Sequence, residues 1–199
     1  MGTLRDAKNY GGIGAILILV GVFIPLVGIA VSIVGFILMV IAVKWISEAV
    51  GDRPIYDNML YFVIIAIIGS VVAFLFVFVA FLPFLTVGGF PPVGDPIDIT
   101  DPLAIFAILS VLIGLAIAWI LSIVAAVFLR KSFNSISARL GVKLFGTSAL
   151  LYLIGAILLI VIVGFFLIFV AEILMIIAFF SIPEQQAAPA IAQTPPAAP

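Results

Sequence analysis

Glu172 is the residue best placed to do chemistry. It stands midway between Ile162 and Ile182, inside a run without another charge from Phe145 onward. A carboxylate in hydrocarbon costs about 2.5–3.5 kcal/mol on insertion scales, so it needs a hydrogen-bonding partner, a cavity or a proton. Ser70, Trp119 and Tyr152 lie at similar depth in their own apolar runs, and each can hydrogen-bond. The four form a candidate intramembrane site with two readings. One is a proton or cation site on a transport path. The other is a glutamate that holds helices together. A single acid with neither a basic nor a second acidic partner is thin for a relay, which favours the second.

Asp95, Asp98 and Asp101 could offer hard oxygen donors to a divalent cation. Their spacing lacks the Gly and Glu positions of an EF-hand loop, so a solvated acidic loop and no metal are expected. The basic residues between Arg130 and Lys143 could meet anionic lipid headgroups, although topogenic charge alone accounts for them better. Gly11-Gly12-Ile13-Gly14 follows no strand and opens an apolar run, which excludes a phosphate loop. The chain has no cysteine and no histidine, which removes disulfides, thiolate chemistry and the commonest general base. With no nucleophile–base pair and no cofactor motif, neither an enzyme nor a cofactor is expected.

The elements that carry these residues are membrane helices. Hydrophobic residues make up 66% of the chain and charged ones only 9%, too little polar surface for a soluble domain. The first apolar stretch, residues 11–43, would be roughly 50 Å long as one helix. A hydrocarbon core is about 30 Å thick, so Pro25 and Gly28 are expected to break this stretch into a hairpin. Gly14, Gly21, Gly28 and Gly35 recur every seven residues, giving each arm a bare face for close packing. Gly51 and Pro54 mark the end of one helix and the first turn of the next. Two long apolar runs follow, residues 59–82 and 103–129. On the second, Ser110, Gly114, Ala118, Ser122 and Ala126 form a small-residue ladder, either a homo-oligomer seam or a packing face inside one bundle. Residues 145–182 are again too long for one span and predict a second hairpin, turning near Val161 to Gly164. A Pro- and Ala-rich tail, residues 183–199, is expected to be disordered.

Charge selects among topologies. With two hairpins, all eight Lys and Arg residues fall on one side, and the other side receives only tight turns and the acidic loop. With four long spans, Arg5 and Lys8 would oppose the other six. The positive-inside rule therefore predicts an all-α, polytopic protein of the cell membrane. It has six spans, arranged as hairpin, two long helices and hairpin, with both termini cytoplasmic. A re-entrant hairpin, which returns to its own side, satisfies the rule equally. The expected organisation is a cytoplasmic N-terminus (1–10) and hairpin 1 with its juxtamembrane end (11–50). Two long spans follow (51–129), joined by an acidic extracytoplasmic loop (83–102). A basic cytoplasmic link (130–144), hairpin 2 (145–182) and the tail complete it. The segment Ile37 to Ala42 matches Ile173 to Ala178, and Val27-Gly28 matches Val163-Gly164, which points to an internal repeat.

YGGIGAILIL, IPLVGIAVSIVGFILMVIAVKWIS and GDRPIYDN, between Tyr10 and Asn58, resemble the start of a mostly archaeal membrane family, domain of unknown function 996. The closing IIAFFSIP is similar too. The resemblance implies a multi-pass membrane protein and brings no activity or catalytic residue. The function expected is a structural or interaction component of the membrane, with a small transporter or channel built on Glu172 as the alternative. The expected partners are the bilayer and a second copy or another membrane protein, not nucleic acid.

Overall fold

The structure, a computed structural model, describes residues 3–25, 27–85 and 101–184. Among these, six α-helices account for nearly every residue: α1 Leu4–Gly21, α2 Gly28–Val50, α3 Arg53–Pro83, α4 Pro102–Leu140, α5 Lys143–Ile157 and α6 Ile162–Phe180. Five are long and apolar enough to cross a membrane, whereas the sequence predicts six spans. The sixth, α1, carries Arg5, Asp6 and Lys8 in its first turns, which leaves a shorter apolar stretch.

The helix ends follow local chemistry. Thr3 caps α1 in a reciprocal capping box with Asp6. Gly51 and Gly141 end α2 and α4 with φ of 67° and 73°, a left-handed conformation that only glycine adopts cheaply. Asp101 caps α4, its Oδ1 accepting from the Leu103 N–H at 3.1 Å. Asp95 and Asp98 lie outside the described residues, as do most of the acidic loop and nearly all of the tail. The basic segment after Leu129 is no separate link, because α4 continues helically through Arg130, Lys131 and Arg139 to Leu140. Charges do not stop a helix; the left-handed Gly141 does.

Consecutive helices pack as antiparallel neighbours, and α6 also packs on α1, so the six close into a ring. Both hairpins cross on paired glycines. In the first, a Cβ on Gly21 would lie 2.7 Å from the Gly28 carbonyl oxygen. In the second, one on Gly155 would lie 3.0 Å from that of Gly164. The second turn falls at Leu158–Ile160, a short 3-10 segment, slightly earlier than the sequence predicts. Gly164 is spent on close approach to the Leu158 backbone and not on the turn itself. The ladder on α4 also packs within the bundle. Gly114 sits against the Phe76 side chain of α3, Ala118 offers its carbonyl oxygen near Gly69, and Ala126 is fully buried.

The core lies toward one end. Its fully buried side chains include Ile46, Ile55, Met59, Leu129, Phe133, Phe145 and Phe179. Phe133, Phe145 and Phe179 bring α4, α5 and α6 together as three mutually perpendicular rings, with centroids 5.0–6.2 Å apart. Gly11 of α1 lies directly against the Phe179 ring, where no side chain would fit. Toward the opposite end the helix pairs separate. A cleft of about 910 Å³ opens between hairpin 1 and α3, and one of about 840 Å³ between α3, α4 and hairpin 2.

Candidate functional site

Two contacts fix the register of α5 against α6. Phe145 meets Phe179 at 5.0 Å between ring centroids, and a Cβ on Gly155 would lie 2.7 Å from Ile168 Cγ1. In an antiparallel pair this places Tyr152 opposite Glu172. Glu172 Oε2 is buried and has no hydrogen-bond partner among the described residues.

Ser70 and Trp119 are engaged elsewhere. The Ser70 hydroxyl donates to the Ala66 carbonyl of its own helix at 2.8 Å. Trp119 Nε1–H donates to the Ala156 carbonyl at 3.0 Å and so ties α4 to α5, while Ser122 Oγ donates to the Trp119 carbonyl at 2.7 Å. Ser70, Trp119 and Tyr152 line the 840 Å³ cleft together with apolar residues such as Phe62, Leu115 and Leu159. Glu172 is not on that lining. Three of the four candidates are thus brought to one cavity, and the acid stands behind Tyr152. Equal depth sets a residue's height in a bundle but not the direction it faces.

All eight basic residues lie at the core end of the bundle. Arg5, Lys8, Arg53 and Lys143 begin helices, whereas Lys44, Arg130, Lys131 and Arg139 stand in closing segments. Two long-range ion pairs tie this end together. Arg139 Nε meets Asp52 Oδ2 at 2.8 Å, joining α4 to the α2–α3 link. Lys8 Nζ meets Glu184 Oε1 at 3.3 Å, joining the start of α1 to the segment after α6. A buried hydrogen bond from Ser132 Oγ to the Ile55 carbonyl, at 2.7 Å, adds a third link between α3 and α4. None of these cross-links is predicted from the sequence. The available signal is Asp52 beside Gly51 at a helix end, with bases elsewhere in the chain to pair it.

The architecture and the five long apolar helices define a class, an all-helical protein built to the dimensions of a bilayer. The chain belongs to the family described as protein of unknown function (DUF996), whose model matches residues 31–173. It is similar to the uncharacterized protein MJ1644 of Methanocaldococcus jannaschii, at 36% identity over 181 residues, which cover 91% of this chain and 94% of that relative. No solved structure matches it. The family match runs through α3, α4 and α5, between the N-terminal block and the closing IIAFFSIP on which the resemblance in the sequence rests.

Proposed function

We propose that this chain is a structural or interaction component of the cell membrane, with both termini cytoplasmic and no enzymatic role. The single observation that carries this reading is the sealed core at the basic end. There Phe133, Phe145, Phe179, Ile46, Met59 and Leu129 are fully buried against one another across the ring. Among the described residues, the buried polar side chains there, Ser47, Ser132 and Ser148, each donate to a backbone carbonyl. That leaves little polar lining for an ion to follow, and burying an unpaired ion is costly. The uniform placement of the basic residues supports the cytoplasmic assignment. A membrane-protein neighbour is the expected partner, since the α4 ladder is already used within the chain.

A second reading rests on Glu172 Oε2, buried without a partner. On that reading the carboxyl exchanges a proton or a small cation across α6 as part of transport. One experiment separates the two. Purified protein is reconstituted into vesicles, and proton and monovalent-cation fluxes are compared with those of empty vesicles. The structural reading expects no flux above the empty-vesicle rate. A flux that disappears in Glu172→Gln would overturn it in favour of transport.

A further inference from the structure

Helices α3 and α4 reach past both hairpins. Phe36 of α2 meets Phe62 of α3 at 5.7 Å between ring centroids, so Gly28 at the first turn stands near the level of Ser70. Leu159 and Ile160, at the second turn, share a cavity wall with Ser70 and Ala73. From Ala73 to the end of α3 at Pro83 is roughly 15 Å, and from Ala118 back to the start of α4 is roughly 24 Å. Among the described residues, one end of the bundle therefore holds six helices and the other two.

The hairpin arms are also short. The distance from Lys44 to Gly28 is roughly 24 Å, and from Lys143 to Ile160 roughly 25 Å, against a hydrocarbon core of about 30 Å. Two placements in a bilayer compete. If the inner boundary lies at Lys44 and Lys143, Arg130 and Lys131 sit below it in hydrocarbon, which is unfavourable for a charge. The far ends of α3 and α4 then stand in water with Phe74, Phe78, Leu85, Phe106, Leu109 and Leu112 exposed. Leaving such large apolar side chains in water is unfavourable. If the boundary lies instead at Arg130 and Lys131, the two bases reach the interface and less of the far ends of α3 and α4 stands in water. The apolar length of α3 fills the bilayer, and both turns stop short of the far interface.

We infer that the two hairpins are re-entrant and that the protein is a wedge, with six helices in the cytoplasmic leaflet and two in the outer one. Its partner is the bilayer itself, which it would bend so that the cytoplasmic leaflet is the expanded one. The inference rests on the membrane-embedded reading above and adds a shape and a consequence to it.

The chain has no native cysteine, so single thiols report cleanly. Ile24→Cys and Ile160→Cys mark the two turns, where both side chains are exposed, and Ala138→Cys marks the exposed basic end. Each variant is reconstituted into vesicles, opened with a pore-forming peptide, and treated with a charged maleimide. The wedge predicts that both turn positions react on the order of tenfold more slowly than Ala138→Cys, because hydrocarbon excludes the charged reagent. It also predicts that mean vesicle diameter falls as the protein-to-lipid ratio rises. Turn cysteines that react at the Ala138→Cys rate would overturn re-entry while leaving a membrane protein. An unchanged diameter would overturn the wedge. Release by alkaline carbonate would overturn the membrane reading itself.

Discussion

Gly14 of α1 and Gly35 of α2 touch backbone to backbone. A Cβ on Gly14 would lie 2.6 Å from the Gly35 carbonyl oxygen, and one on Gly35 would lie 2.5 Å from that of Gly14. The obstruction in each case is main chain, which cannot swing aside as a side chain can. Gly35→Ala is therefore expected to separate the arms of hairpin 1 and destabilise the protein by about 1–3 kcal/mol, the usual range for overpacking. Gly69→Ala is the control, because its nearest neighbour is Leu121 Cβ at an ordinary 3.4 Å. Thermal unfolding in mild detergent, followed by the size-exclusion profile, measures both. Equal midpoints for the two variants would show that the hairpin can relax around a methyl group.

The rings of Phe133, Phe145 and Phe179 make a second test. Each is fully buried, and each meets the other two edge to face. Phe145→Ala is expected to cost about 3–5 kcal/mol and Phe145→Leu markedly less, since leucine keeps most of the buried volume. Phe145→Ala and Phe179→Ala should combine less than additively, because both remove the same contact. Additive losses in a double-mutant unfolding series would mean that the rings act independently.

This trio was illegible in the sequence for a physical reason. Where two-thirds of the residues are hydrophobic, lipid-facing and core-facing positions share one alphabet, and periodicity no longer marks the buried side. Glycine and proline kept their meaning, because they report backbone geometry and not polarity. Pro25 lies in the first turn and Gly28 opens α2, Gly51 closes α2, Pro54 lies in the first turn of α3, and Gly14 to Gly35 mark the arms' contact. The depth of Glu172 was legible from its distance to the run's ends. Of the three residues at that depth, the register sets only Tyr152 opposite it, while Ser70 and Trp119 turn to backbone carbonyls.

Glu172 itself is expected to cost stability. Its Oε2 is buried without a donor, and an unsatisfied buried polar group is unfavourable by about 1–3 kcal/mol, more when charged. Glu172→Met keeps a flexible side chain of similar length and removes that cost, so its unfolding midpoint should rise. Tyr152→Phe should leave the midpoint nearly unchanged, because the phenol's ring contact with Phe62 survives. A fall in the Glu172→Met midpoint would show that the carboxyl gains a partner in the membrane and would strengthen the transport reading.

The first turn of α1 should respond to pH. Asp6 accepts hydrogen bonds from the Thr3 N–H at 2.9 Å and from its hydroxyl at 2.8 Å, and these hold its carboxyl below the ordinary aspartate value. A carboxyl lowered in the folded state stabilises above its unfolded pKa, about 3.9 for aspartate, and loses that contribution as pH falls through the folded value. The capping box should therefore be intact near neutrality and open in acid. Amide exchange in the first turn, measured between neutral pH and about pH 3, should speed up beyond the intrinsic change once the carboxyl titrates. In Asp6→Asn the same amides should exchange faster at neutral pH, with no further loosening in acid. An acid response that persists in Asp6→Asn would show that the capping box is not its source.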